Sequence, residues 1–201
     1  MKETLWTATH ESPLGTLRSA VRSDGALVAL AFEDAWSPLF ARLAVRFADP
    51  RVARGVPVHV AGAIDAYFAG DVAALDALAV DPAGTAFQRR VWDALRTIPA
   101  GQTRSYAAVA SAVGAPRAVR AVGAANGANP IVIAIPCHRV IASDGALHGY
   151  GGGLERKRWL LAHELQPGIR QTPIALQPMN VGDGQSASLV HCFVQKVPLT
   201  T

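Results

Sequence analysis

Cysteine is scarce in this sequence: Cys137 and Cys192 are the only two in 201 residues. Two thiols cannot build a disulfide framework or an all-cysteine zinc site, so a reducing compartment is expected and neither a metal nor another cofactor is expected. No apolar run approaches the roughly 20 residues that span a bilayer. The opening Met1-Lys2-Glu3-Thr4-Leu5-Trp6 is too polar for a secretory signal. A soluble, cytoplasmic protein with no membrane partner is therefore expected. Acidic residues also run short in one place. Residues 85–165 carry 10 basic and 4 acidic side chains, against 7 and 10 in residues 1–84. That excess suggests a polyanionic partner for the second half, the alternative being a solvated basic face.

What is present begins with strands. Residues 5–9, 17–21 and 27–32 are short apolar runs separated by Ser12-Pro13-Leu14-Gly15 and Ser23-Asp24-Gly25. Leu39, Leu43 and Phe47 recur at helical spacing, which predicts a helix over 39–47. A second helix is predicted over 61–69, with Ile64 and Phe68 on one face. His10 and His59 are isolated and read as structural or surface residues. Asp81-Pro82-Ala83-Gly84 is a break. It divides the chain into an N-terminal α/β domain (1–82), a second domain (83–166) and a tail (167–201). Residues 189–194 read as a strand without a mate, and Cys192 beside His191 has nothing around it that supports catalysis.

The second domain opens with Thr85 as an N-cap, followed by Phe87, Val91, Leu95 and Ile98 on one helical face. Trp92 beside that face reads as core. Ser105 caps a short helix that carries Tyr106, Val109, Ala110 and Val113. Gly114-Ala115-Pro116 breaks it, and a helix over 117–126 follows with Pro116 at its first turn. This is the pattern of a helix-turn-helix. The second helix is almost all Ala, Gly and Val, apart from Arg117, Arg120 and Asn126. Small residues let a backbone approach a partner closely, and arginines reach phosphates or bases. The alternative is a packing helix with solvated arginines.

After Asn129-Pro130, the apolar run 131–135 predicts a buried strand that ends at Pro136, which cannot donate to a ladder. Cys137 then stands at the strand exit, beside His138 and Arg139. Either neighbour can favour a thiolate. The alternative is a small buried apolar residue. A glycine-rich loop, Gly151-Gly152-Gly153, precedes a helix over 154–164. That helix is expected to bury Leu154, Trp159, Leu161 and Leu165, and to expose Glu155, Arg156, Lys157 and Arg158. Glu164 falls at the helix end where the dipole disfavours a negative charge, which suggests an internal partner.

Three blocks then stand out together: Ile135-Pro136-Cys137-His138-Arg139-Val140-Ile141, Gly149-Tyr150-Gly151-Gly152-Gly153-Leu154, and Lys157 with Trp159-Leu160-Leu161-Ala162-His163-Glu164. In these the chain resembles the O6-alkylguanine-DNA alkyltransferases, closely over about 85–165 and more loosely upstream. The resemblance implies an α/β (α+β) fold. A ribonuclease-H-like unit of sheet and helices would precede a mostly helical winged helix-turn-helix domain bearing the cysteine. It implies a monomer that repairs duplex DNA by irreversible, single-turnover transfer of an alkyl group from O6-alkylguanine to Cys137. O4-alkylthymine is a second candidate lesion.

The resemblance also assigns roles. His138 takes the Cys137 proton through water and Glu164 orients His138. Tyr106 helps rotate the nucleotide, and Asn129 braces the turn against the active-site strand. Arg120 fills the space of the flipped base, with Arg117, Ala121, Gly123, Ala124 and Ser105 along the DNA contact. Tyr150, Gly151, Gly152 and Val140 line the alkyl pocket. Many relatives carry a side chain where Gly151 stands, so room for bulkier adducts is expected. Two other classes compete. A non-catalytic binder of alkylated DNA has no need of the thiol, and a cysteine hydrolase has no place for the arginine-bearing helix.

Overall fold

A computed structural model describes residues 2–165. The tail reading, including Cys192 and the strand over 189–194, lies outside the described residues. The fold is mixed α/β, with six α-helices and two small sheets among the described residues. No helix among them is long and apolar enough to cross a membrane.

The first sheet holds β1 (Thr4–His10), β2 (Leu17–Arg22), β3 (Leu27–Phe32) and β4 (Arg51–Arg54), in the order β3-β2-β1-β4. β1, β2 and β3 pair antiparallel through the two turns expected from the sequence, and β4 adds parallel to β1. Every residue of β3 is buried, because the strand is covered on both faces. Val28 and Ala31 meet Trp36, Leu39 and Leu43 of α1 (Glu33–Arg46). Leu27, Leu30 and Phe32 enter the main core. That core continues through Ile64 and Tyr67 of α2 (Val58–Phe68) into the second half of the chain.

α1 begins six residues earlier than the Leu39 periodicity indicates. Glu33 and Asp34 occupy its first turn, where the helix dipole favours them. Pro38 lies inside the helix beyond its first turn, so Asp34 O goes without the donor that any other residue would supply there.

α3 (Ala86–Arg96) starts at Thr85 with a reciprocal cap: the Gln88 amide donates to the Thr85 hydroxyl, and the Gln88 side chain accepts from Thr85 N–H. Val91, Trp92 and Leu95 are buried. Two-residue strands β5 (Arg104–Ser105) and β6 (Val140–Ile141) pair in parallel. Ser105 caps α4 (Tyr106–Ala112) by accepting from Ala108 N–H at 3.1 Å. α5 is Val119–Gly127, shorter at its start than the predicted 117–126. Pro116 and Arg117 belong to the preceding turn, closed by Ala118 N–H donating to Ala115 O at 2.8 Å. The Trp92 indole donates to Ala125 O at 2.9 Å, pinning α5 against α3.

The expected strand over 131–135 does not form. Ile131 and Val132 make a single rung with β3: Leu30 N–H donates to Pro130 O and Val132 N–H to Leu30 O. The chain then turns back on itself, with Ile135 N–H donating to Ile131 O. Ile133 has φ of 69°, a left-handed conformation that costs a β-branched residue about 1–3 kcal/mol. Its side chain is buried, which offsets part of that cost. The run is core, as its apolar composition predicts, but it is bent and not extended.

α6 is Leu154–Leu165. Trp159 is buried as expected, but Leu154 and Leu161 are only partly buried and Leu165 is exposed. Lys157, assigned to the polar face, is fully buried. Its ammonium donates to Val140 O at 2.6 Å and to His148 O at 3.2 Å. Those two carbonyls replace the water it gives up.

Candidate active site

Cys137 opens a 3-10 turn, Cys137–Arg139, directly after Pro136. Its thiol is buried, and the Asn129 side-chain amide donates to Sγ at 3.0 Å. The same amide reaches Ile135 O at 2.8 Å, while Asn129 Oδ1 accepts from Ile131 N–H at 3.0 Å. Asn129 thus ties residues 131 and 135 of the turn together and also contacts the sulfur. Asn126 of α5 donates to Cys137 O at 3.2 Å. Burial pushes the Cys137 thiol up, and the Asn129 hydrogen bond and Lys157 ammonium oppose that without overcoming it. The resting group is therefore a protonated thiol that needs a base.

His138, the next residue, carries the imidazole of the site. Its Nε2 lies 2.8 Å from Glu164 Oε1, and both side chains are fully buried. Glu164 accepts five hydrogen bonds, from His138 Nε2, Tyr67 Oη, Arg139 Nε and Nη2, and Gly101 N–H. Burial pushes its carboxyl up, but the His138 and Arg139 contacts outweigh this and hold it well below the usual carboxylate range. Burial lowers His138, with Glu164 acting the other way, so the resting imidazole is neutral. An ionised carboxylate only accepts, so the single imidazole proton sits on Nε2 and faces Glu164. Nδ1 is left with its lone pair, buried and without a hydrogen bond to any described residue. A lone pair so placed is able to accept a proton.

Arg139 completes the clamp. Its Nε and Nη2 fork across both Glu164 oxygens at 2.9 and 2.8 Å, and Nη1 donates to Ile98 O at 2.6 Å. This explains the carboxylate at the unfavourable end of α6. Gly101, at φ 74°, brings the chain against that helix end, where a Cβ would come within 3.2 Å of Glu164 O.

Tyr106 and Tyr150 lie near enough to feel a charge on Cys137. The Tyr106 hydroxyl donates to His148 O at 3.3 Å. Burial raises Tyr106 and Tyr150, and the charge of a Cys137 thiolate adds to both, so the two phenols stay protonated. The buried Tyr150 hydroxyl has no partner among the described residues. Gly152 leaves no room for a side chain: a Cβ there would come within 2.8 Å of the Tyr150 ring and 3.1 Å of Phe32. Gly151 differs, since its Cβ would meet only Gly127 O at 3.8 Å. Val140 is buried, with its carbonyl engaged by Lys157.

The predicted DNA contacts form a separate surface. Arg120, Ala121 and Ala124 are exposed on α5, Gly123 is half-buried, and Arg117 is exposed in the turn before it. The opposite face packs inward through Val122, Ala125 and Asn126. Ser105 is half-buried and serves as the cap of α4.

Sequence reasoning missed the clamp. Arg139 had a signal, because a guanidinium between His138 and Val140 in a buried segment requires a carboxylate. Lys157 had none beyond its place in a recurring block. Tyr67, 97 residues from Glu164, had none at all.

A family model described as the 6-O-methylguanine DNA methyltransferase DNA-binding domain matches residues 86–166. The methylated-DNA–protein-cysteine methyltransferase of Salmonella typhimurium is 54% identical over 114 residues, 57% of this chain and 67% of that protein. The chain belongs to the methylated-DNA–protein-cysteine methyltransferase family. The Mycolicibacterium paratuberculosis methyltransferase is 58% identical over 111 residues, 54% of this chain and 67% of its own length. Among solved structures, the Mycobacterium tuberculosis protein OGT in complex with DNA superposes with a TM-score of 0.67 at 42% identity, covering 80% of this chain and 92% of that one. The methyltransferase match therefore extends over both halves of the chain.

Proposed function

We propose that this methyltransferase binds duplex DNA and repairs O6-alkylguanine by direct reversal, taking the alkyl group onto Cys137 once per molecule. One observation carries the reading: a buried thiol next to a neutral imidazole whose free nitrogen is Nδ1 and whose other nitrogen is fixed on an ionised glutamate. The Cys137 proton passes to His138 Nδ1, through water where the two do not touch. Sulfur then attacks the alkyl carbon, the S–C bond forms as the C–O bond breaks, and the electron pair leaves with guanine. The Tyr106 hydroxyl donates a hydrogen bond to the departing base, which takes a proton from water as the His138 imidazolium gives its own back. A thioether is a poor leaving group, so the protein is consumed.

The DNA reading rests on the matched domain and on α5. Exposed Ala121 and Ala124 let the backbone approach the duplex closely, and Arg120 enters the space vacated by the flipped base. Tyr150, Gly151, Gly152 and Val140 form the wall against which the base is held. The division into an N-terminal α/β unit (1–82) and a helix-turn-helix unit (83–166) belongs to the same proposal. So does a monomeric active form. Non-catalytic binding is disfavoured, because it gives no role to a thiol with its own base.

The test is a mass measurement after incubation with a duplex carrying O6-methylguanine. One methyl replacing one hydrogen, on the Cys137 peptide alone, is the expected result. Tight binding with unchanged mass would overturn the reading. Arg120→Ala is expected to slow transfer from duplex DNA by about 10- to 100-fold, from the few kcal/mol needed to unstack a base. Its reaction with free O6-benzylguanine should stay within about twofold of wild type, because a free base needs no flipping. Equal losses on the two substrates would remove Arg120 from its assigned place.

A further inference from the structure

The helix α2 belongs to the N-terminal unit, yet one of its side chains ends on the catalytic carboxylate. The Tyr67 hydroxyl donates to Glu164 Oε1 at 2.9 Å, the same oxygen that accepts from His138. Tyr67 is buried and held at its backbone as well, where His163 Nε2 donates to Tyr67 O at 2.7 Å. His163 and Glu164 are consecutive in α6, so α2 is stitched to the helix end that carries the carboxylate. Aromatic contacts with Phe68 and His163 fix the Tyr67 ring at centroid distances of 5.3 and 5.2 Å.

We propose that Tyr67 is a positioning residue for alkyl transfer: its hydroxyl draws charge from Glu164 and so keeps His138 neutral and able to take the thiol proton. The proposal rests on the reading of Cys137, His138 and Glu164 as the reacting set. The physical basis is competition for one oxygen. Each donor on Oε1 lowers the negative charge left to stabilise an imidazolium at His138. Arg139 Nη2 and Tyr67 Oη are the two donors besides His138 itself. The other groups facing the pair are Lys157 and Arg139, which disfavour a charged His138, with Cys137 and Tyr150 nearby. Burial first, and the Glu164 charge second, push the Tyr67 phenol well above its usual value, so it remains a donor throughout the working range.

Tyr67→Phe removes the hydroxyl and keeps the ring. In that variant His138, followed by NMR of labelled histidine, is expected to titrate at higher pH than in the wild type. The acid limb of the transfer rate should move up with it, because a protonated His138 is no base. Above that limb His138 is neutral in both proteins and keeps its Glu164 contact, so the rates should agree within about threefold. Phe68→Leu disturbs the same aromatic cluster without touching Glu164, and should lower stability while leaving both titrations in place. An unmoved His138 titration in Tyr67→Phe, with only a lower Tm, would reduce Tyr67 to a packing residue and overturn the proposal. Were the wild type to transfer no alkyl group, the functional reading would fall, yet the His138 titration would still decide the part played by Tyr67.

Discussion

Replacing Cys137 with alanine is expected to end alkyl transfer altogether, with DNA binding kept. No other thiol lies among the described residues, and none of the groups around Cys137 becomes a sulfur nucleophile by rearrangement. The exposed side of α5, proposed above to meet DNA, lies opposite the buried Val122, Ala125 and Asn126. Binding to an alkylated duplex should therefore stay close to wild type in a gel-shift titration. Stability should change little too. Asn129 loses the sulfur but keeps Ile135 O, so the cost is about 1 kcal/mol, a few degrees in Tm. Residual transfer by the alanine variant, seen as a methylated peptide elsewhere, would move the acceptor away from Cys137.

Replacing Glu164 with glutamine should produce the largest loss of stability. All five groups bonded to Glu164 donate, and an amide offers one oxygen plus an NH2 that faces donors. Arg139, only 2% exposed, would be left as a buried cation with Ile98 O as its remaining acceptor. Breaking a buried pair from one side costs about 3–5 kcal/mol. For a domain of this size that is a fall in Tm of roughly 10 °C. The sign of the pH dependence follows from the same contacts. Glu164 is held below the usual carboxylate range, so its contribution is full above that range and is lost as pH falls through it. His138, lowered by burial, acts in the same direction, since acid protonates it more readily in the unfolded chain. Thermal melts of the wild type should show Tm falling as pH drops from neutral through the usual carboxylate range, with the variant starting lower at neutral pH. Equal Tm values at neutral pH would mean that Arg139 finds other acceptors.

Much of this was legible in the sequence where local rules act. Thr85 and Ser105 cap the helices they precede, and the first three strands lie where alternation and turn residues put them. The misplaced charge of Glu164 pointed to an internal partner, and His138 is one. Other features depend on contacts between distant segments. The run 131–135 looks extended because Ile and Val favour strands, but a single rung with Leu30 and a left-handed Ile133 bend it into a turn. Lys157 sits among charged neighbours in the sequence, yet the carbonyls of Val140 and His148 draw it inside. Tyr67 reaches Glu164 across the fold, and nothing near residue 67 announces it.

The rung between β3 and the loop before Cys137 carries a consequence for how this chain can change over generations. Leu30 shares two backbone hydrogen bonds with Pro130 and Val132, and a Cβ placed at Gly152 would come within 3.1 Å of the Phe32 ring. A drift in the first sheet is thus felt within a few residues of the thiol. Selection acting on the reactive loop would restrain β3 as well, and the N-terminal half would be slow to accept insertions there. Variation has more freedom on the far edge, at β4, where three of four residues are exposed.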